Sequence, residues 1–565
     1  SRADSLQDFV YTLLGNAIGF NRRNSPPSKF DLFWKRLICQ WRSFQGGPIL
    51  MGLTLTRALT FSLEAKMTLP RPIVSTGNAG FDSILKGGLP SNRLYLLEGT
   101  PGAGKTTLGL QFLLDGVKAG ESVLYITLSE TSEELESVAH SHGWSLDGID
   151  LFEFSSTEEV LGDEYEQSIL HPWEAELGDT IKLIQQRVDK LQPRRLVFDS
   201  LSEMRLLAQD PLRYRRQVLA LKQYFAGRDI TVLLVDDLTA STGERDNHLH
   251  SLCHGVITLE RLTLDFGAAR RRLQVQKLRG VDFVAGFHDF TIRRGGLEVY
   301  PRLIAATHHV PFKAEPVPSG VKELDDLLVG GPLRGTSTLV TGPAGSGKTT
   351  VTLAYLAAAC ARGEKCTIYE FDERIATLIS RADSMGMELS RHVSSGQLII
   401  QQIDPAEISP GEFAWRVRTE VEERGSTMIV VDSLNGYMAA MPQEQQLILQ
   451  MHELLSYLSQ LGVVTFLINP QHGLVGSMST NLNISYVADS VILIRFFEAQ
   501  GRLRKAISVL KHRTGAHEDA IRELRIDSRG IRVGAPLVDF RGVLTGTPEY
   551  FGANLPLMEE RKRGD

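Results

Sequence analysis

One stretch, carried twice, limits what this chain can fold into. Gly99-Thr100-Pro101-Gly102-Ala103-Gly104-Lys105-Thr106-Thr107 and Gly342-Pro343-Ala344-Gly345-Ser346-Gly347-Lys348-Thr349-Thr350 both satisfy G-x-x-x-x-G-K-[ST], the phosphate-binding P-loop. Glycine lets the backbone curl until successive N–H groups converge on an anion. The helix that follows turns its positive end to the same point. Lys105 and Lys348 are expected to reach the β- and γ-phosphates of a nucleotide, and the hydroxyls of Thr106 and Thr349 to hold Mg²⁺. The motif needs a strand before it and a helix after it. Arg93–Glu98 and Ser337–Thr341 read as buried strands, and Leu108–Val117 and Val351–Ala361 as apolar-rich helices.

The P-loops belong to a longer internal repeat. Gly77-Asn-Ala-Gly-Phe-Asp-Ser-Ile-Leu-Lys-Gly-Gly88 leads into the first, and Gly320-Val-Lys-Glu-Leu-Asp-Asp-Leu-Leu-Val-Gly-Gly331 into the second, with 28 positions from Gly77 to Lys105 and from Gly320 to Lys348. Downstream, Ser122–Leu128 ends at Ser129-Glu130, and Cys366–Phe371 ends at Asp372-Glu373. Next, Arg195-Leu-Val-Phe-Asp199 parallels Met428-Ile-Val-Val-Asp432. An apolar run ending in Asp is a Walker B strand, so Asp199 and Asp432 are expected to face the Mg²⁺ shell. Thr231–Val235 and Val463–Ile468 are further core strands, and helices must fill the gaps of a parallel sheet. Ser409-Pro-Gly-Glu412 opens one helix, with Ser409 as N-cap and Glu412 reaching back. The last third of each copy reads as β-hairpins: Leu273–Arg279 parallels Ile507–Arg513, and Phe290-Thr-Ile-Arg and Ile521-Arg-Glu-Leu close the copies. Prolines at 301, 311, 316 and 318 put the join at 307–318.

At 565 residues, 42% hydrophobic and 23% charged, the chain has the bulk of a multi-domain globular protein. A net charge of −6 does not favour general nucleic-acid binding. Residues 1–66 differ: nine Lys/Arg against four Asp/Glu make them +5, leaving −11 for the rest. They read as a weakly ordered extension or a translated upstream segment, with a basic targeting arm as the alternative and Met67 as the expected start. Cys39, Cys253, Cys360 and Cys366 form no C-x-x-C pair, which suits a reducing cytoplasm, and no apolar run is long enough to span a bilayer.

Two tandem P-loop units, each with a Walker B Asp-Ser and a late Lys-x-Arg, resemble the KaiC family of RecA-like ATPases over about Met67 to Tyr550. The resemblance implies an α/β fold of two RecA-like P-loop NTPase domains, at 67–306 and 319–550, each a mainly parallel sheet flanked by helices, followed by a short tail at 551–565. It implies a homo-hexamer with ATP and Mg²⁺ between subunits, slow ATP hydrolysis, serine/threonine autokinase activity and signalling partner proteins. Lys277 with Arg279, and Lys511 with Arg513, match the pair that the family donates across the interface; the plainer alternative is a solvated charge pair. A P-loop touches the γ-phosphate from one side only, so a cation from elsewhere fits the chemistry. The family's adjacent acids beside the γ-phosphate correspond to Ser129-Glu130 and to Asp372-Glu373, so the first copy keeps one carboxylate and the second keeps two. The second half is therefore expected to carry more of the chemistry. Ser485 matches a phosphorylated serine, but Tyr486 stands where the family has threonine. The His248, His250, Cys253, His254 group fits no zinc spacing. Arg270-Arg271-Arg272 and Arg502–Lys505 read as solvated hairpin ends. Trp173 and Trp415 read as core or interface anchors. Two rival classes stay open: a DNA-associated RecA-like ATPase, and a non-catalytic nucleotide switch.

Overall fold

The computed structural model describes residues 72–154, 172–208, 210–238, 247–264, 266–305, 308–439, 444–471, 487–544 and 548–552. The basic extension, most of the tail, and Ser485 with Tyr486 lie outside them.

Each P-loop sits at the end of the middle strand of a nine-stranded sheet. The first sheet contains β1 (Leu94–Gly99), β2 (Val123–Thr127), β3 (Ile149–Glu153), β4 (Arg195–Asp199), β5 (Thr231–Asp237), β6 (Gly255–Leu262), β7 (Arg270–Leu278), β8 (Phe287–Arg293) and β9 (Gly296–Tyr300). The second repeats it as β10 (Ser337–Pro343), β11 (Cys366–Glu370), β12 (Leu398–Gln402), β13 (Met428–Asp432), β14 (Val464–Gln471), β15 (Ser490–Ala499), β16 (Arg502–His512), β17 (Arg522–Asp527) and β18 (Gly530–Pro536). The spatial order is β9-β8-β7-β6-β1-β5-β4-β2-β3, and the second sheet has the same order with every label advanced by nine. Strands from β3 to β6 are parallel, and β7, β8 and β9 are added antiparallel. The internal repeat therefore persists strand for strand, and the fold is the expected pair of mainly parallel α/β units.

Central parallel strands carry helices on both faces, so they read as unbroken apolar runs. Leu94–Gly99 and Ser337–Pro343 are buried at every position. Two apolar layers cover each sheet: Leu108, Phe112 and Tyr125 belong to one and Leu124, Phe198 and Leu234 to the other in the first half. The P-loop helices, α1 (Lys105–Lys118) and α3 (Lys348–Ala361), pack against the first of these layers. α2 (Ser132–Ser141) begins with a full capping box between Thr131 and Glu134.

The two halves meet along β8 and the start of α4 (Pro410–Glu422). Asp289 Oδ2 accepts from Gly411 N at 2.7 Å, and Arg270 Nη2 donates to Pro405 O at 2.8 Å. Arg293 pairs with Glu412 at 2.5 Å, and Arg416 takes the same oxygen at 2.7 Å. This corrects one expectation. Ser409 does cap α4 by accepting from Glu412 N at 3.1 Å, but the Glu412 side chain goes to the arginines rather than back to the cap. A buried carboxylate gains more from two guanidinium groups than from one backbone N–H.

Among the described residues no helix is long and apolar enough to cross a membrane. A Cβ on Gly80 would lie 2.0 Å from the Val299 carbonyl oxygen, whereas one on Gly178 would meet nothing within 4 Å. Gly80→Ala should cost about 1–3 kcal/mol, and Gly178→Ala, in a helix, should be neutral or stabilising by up to about 1 kcal/mol. Denaturant midpoints of the two variants should therefore move in opposite directions or, for Gly178→Ala, stay still.

Candidate functional site

The loop glycines adopt backbone angles that side chains resist. Gly102 and Gly104 have φ of 71° and 104°, and Gly345 and Gly347 have 75° and 104°. Neither α1 nor α3 has a side-chain cap, so the first-turn N–H groups remain directed at the loop's hollow. The Ser346 hydroxyl is buried there without a partner. Lys105 and Lys348 are both buried. Lys105 donates to Gly99 O at 3.2 Å and pairs with Asp237 at 2.6 Å. Lys348 donates to Pro343 O at 2.8 Å, and burial pulls its ammonium below the usual lysine range. Both ammonium groups are thus folded into the loop, Lys348 on a carbonyl that a phosphate would outcompete and Lys105 on carbonyls and the Asp237 carboxylate.

The hydroxyl next to each lysine finds the Walker B carboxylate across the strand–helix gap. Thr349 Oγ1 donates to Asp432 Oδ2 at 2.6 Å, and Thr106 Oγ1 to Asp199 Oδ2 at 3.3 Å. Burial pushes both carboxyls above the usual range; Tyr125 and Lys105 oppose this for Asp199, and Thr349 and Lys348 for Asp432. The donors gathered here are hydroxyl and carboxylate oxygens, the hard set that suits Mg²⁺, and an ion would relieve the crowding of acids. Among the described residues no group of three or more His, Cys, Asp or Glu could hold a metal. His250 instead meets Glu98 at 2.9 Å, and Cys253 is buried with its thiol pushed up to about 12.

The two acid turns differ in more than one residue. Glu130 Oε1 lies 3.5 Å from Thr106 Oγ1, and burial with repulsion from Asp199 and Glu134 raises its carboxyl to about 7. In the second half Asp372 accepts from Ser433 Oγ at 2.5 Å, while Glu373 turns outward to Arg381 at 2.8 Å. A lone glutamate therefore stands beside Thr106, and the second pair is held by Ser433 and Arg381.

Lys277 and Arg279 lie at the far edge of the sheet from their own P-loop. Lys277 is level with Val256, while the P-loop begins beyond Leu259. Lys277 Nζ donates to the carbonyls of His250 and Cys253, and Arg279 to Ser251 O at 2.9 Å. Lys511 pairs in register with Val491 and donates to Ala488 O at 2.6 Å, and Arg513 N donates to Asp489 O at 3.0 Å. None of the four sits beside the P-loop of its own half.

Of the hairpin cations expected to be solvated, Arg502 is exposed, but Arg270 is buried and Arg271, Arg272, Arg504 and Lys505 are half-buried. Arg270 is buried in the contact between the halves, and Arg272 pairs with Glu260 at 2.6 Å. Lys505 is half-buried with its Nζ 3.9 Å from where a Cβ on Gly347 would stand, and Arg261 Nη1 is 3.1 Å from the same point on Gly102. Charges at strand ends look exposed in a sequence; here the fold carries Arg270 into the contact between the halves and Lys505 beside a P-loop. Sequence reasoning also missed Tyr125, whose hydroxyl donates to Asp199 Oδ2 at 2.7 Å, together with Asp237 and Glu370. For Glu370 a signal existed: an acid at the end of an otherwise apolar strand run.

A family model described as "ATPase: KaiC" matches residues 74–304 and again 317–538. The chain is 28% identical over 491 residues to the circadian clock protein KaiC3 of Synechocystis sp., a match covering 84% of this chain and 94% of that protein. It is 27% identical over 482 residues to the circadian clock oscillator protein KaiC of Synechococcus elongatus, covering 83% and 90%.

Each lysine should serve its own site. Lys348→Ala should weaken ATP binding in the second half by at least about tenfold and leave the first half unchanged, and Lys105→Ala should do the reverse. Calorimetric titration with a non-hydrolysable ATP analogue, resolving two classes of site, checks both.

Proposed function

The chain belongs to the KaiC family of ATPases, and from that premise we propose a Mg²⁺-dependent ATPase that works as a ring of identical subunits with serine autokinase activity. The observation that carries it is the doubled constellation of P-loop lysine, P-loop threonine and Walker B aspartate at the carboxyl edges of two matching sheets. Residues 67–306 and 319–550 are read as the two ATPase domains, with 307–318 between them.

When bound, Mg²⁺ would be held by Thr106 with Asp199 and by Thr349 with Asp432, and would supply positive charge against the phosphate oxygens. The chain's own groups do the rest. The P-loop N–H groups and Lys105 or Lys348 orient the triphosphate. Glu130 in the first half, and Asp372 in the second, accept the proton of the attacking hydroxyl as its oxygen bonds to the γ-phosphorus and the bond to the ADP oxygen breaks. Attack by water gives hydrolysis; attack by a serine hydroxyl, for which Ser485 is the candidate by resemblance, gives a phosphoserine. The position of Glu130 beside Thr106 supports the first site as an ATPase in its own right. The engagement of Asp372 and Glu373 by Ser433 and Arg381 supports a second site that waits for rearrangement.

The placement of the late cations supports the ring. Lys277, Arg279, Lys511 and Arg513 lie away from their own P-loops, which supports their donation to a γ-phosphate held by another copy. A head-to-tail contact of that kind closes when its rotation permits. The pairing of these groups with local carbonyls also supports the plainer reading of structural cations, and the experiment separates the two.

Mg·ATP should raise the mass of the assembly in sedimentation or light scattering, because nucleotide at an interface ties association to its own affinity. A protein that stays monomeric in saturating Mg·ATP excludes the ring. Lys277→Ala with Arg279→Ala should slow phosphate release without changing the unfolding midpoint by more than about 1 kcal/mol equivalent. For the acids, Glu130→Gln should lower first-half turnover by about 10²–10⁴-fold, and Asp372→Asn with Glu373→Gln should do so in the second half and abolish phosphate incorporation into Ser485.

A further inference from the structure

The acid turn of each half hangs from the last residue of the preceding strand. In the first half that residue is Thr127, whose Oγ1 accepts from Glu130 N at 2.9 Å and Ser129 N at 3.3 Å. In the second half it is Glu370, whose Oε1 accepts from Glu373 N at 3.0 Å and whose carboxyl also takes the N–H of Asp372. Both residues are about 1% exposed. The second anchor is the costlier one. Glu370 is in register with Asp432 on the adjacent strand, and its Oε2 is buried without a hydrogen-bond partner. Burial and repulsion from Asp432 both disfavour a carboxylate there. A threonine performs the same anchoring in the first half without that cost.

What differs is the load. The first turn carries one acid, Glu130, after a neutral serine. The second carries Asp372 and Glu373 side by side, and like charges in one turn push it open. The Glu370 carboxyl reaches the turn from a longer side chain than threonine's and is itself held in place by burial, so it can fix the turn's backbone from the end of the strand.

We propose that Glu370 is a positioning residue of the second site, whose buried side chain fixes the backbone of the Asp372-Glu373 turn and so sets where the base stands. It touches neither nucleotide nor metal in this role. The proposal rests on the reading of Asp372 and Glu373 as the acids of the second site. Reactive groups must be held to within about 0.5 Å, so loosening the turn should reduce turnover while leaving the P-loop's grip on ATP unchanged.

The test uses the full chain with Glu130→Gln in place to quiet the first half. Glu370→Ala should lower kcat at least about tenfold with KM for ATP changed less than about twofold. Glu370→Gln keeps an oxygen acceptor of the same reach and should recover most of the loss. Amide hydrogen exchange at Asp372 and Glu373 should speed up in Glu370→Ala and stay slow in Glu370→Gln. Parent-like kcat and exchange in Glu370→Ala would overturn the proposal, and so would a Glu370→Gln protein as impaired as Glu370→Ala. Exchange reports the anchor without any turnover. If Asp372→Asn with Glu373→Gln leaves turnover intact while exchange follows the stated pattern, the role of the acids is what fails, and the anchor stands.

Discussion

A parallel strand can be followed by its neighbour only if the chain returns across the face of the sheet, and that one constraint organises both halves. Every return leaves the loops after the strands gathered at one edge. The P-loop, the acid turn and the Walker B aspartate each follow a different strand, β1, β2 and β4 or β10, β11 and β13, yet arrive together because those strands run the same way. The central strand is buried on both faces, which leaves little tolerance in where its end delivers the loop. A close contact of β1 with β6 is enforced at Gly99, where a Cβ would lie 2.6 Å from the Leu259 oxygen.

The antiparallel addition then divides the cations by position. Running back from the carboxyl edge, β7 and β16 begin beside the P-loops and end at the opposite edge. Cations at the start of these strands, such as Lys505, flank the loop of their own half. Cations at the end, Lys277 with Arg279 and Lys511 with Arg513, face away from it. A single strand direction thus separates cations beside the P-loop of their own half from cations bonded to carbonyls at the opposite edge.

Symmetry of fold does not carry symmetry of electrostatics. Tyr125 donates to Asp199 in the first half, whereas the matching position in the second is Ile368, and the acid at the strand end is Glu370. Glu370 and Asp372 therefore add two carboxyls beside Asp432 in the second site, where the first has Thr127 and Ser129 beside Asp199. Between the halves, Glu412 is shared by Arg293 from the first and Arg416 from its own helix, so α4, which follows β12, is pinned to β8 of the other unit. A buried carboxylate between two guanidinium groups is costly to strip of either partner, so the two units are joined by more than chain connectivity.

Much of this was legible in the residues alone. The strands around both P-loops, the Walker B aspartates and the strand-for-strand repeat follow from apolar runs, glycine spacing and an equal 28-residue lead-in, all of which act locally. The chain by itself therefore determined two mainly parallel α/β units of the KaiC type and the lysines, threonines and aspartates at their loops. Tertiary structure alone decided what distant groups do to those residues. It brought Arg270 and Arg293 into the contact between halves, turned Glu412 from its cap to two arginines, set Lys505 over a P-loop, and hung Asp372 and Glu373 from Glu370. The physical reason is the range of the forces involved. Periodicity and turn chemistry are written within a few neighbouring positions, whereas a buried charge takes its partner from whatever strand or helix the fold delivers beside it.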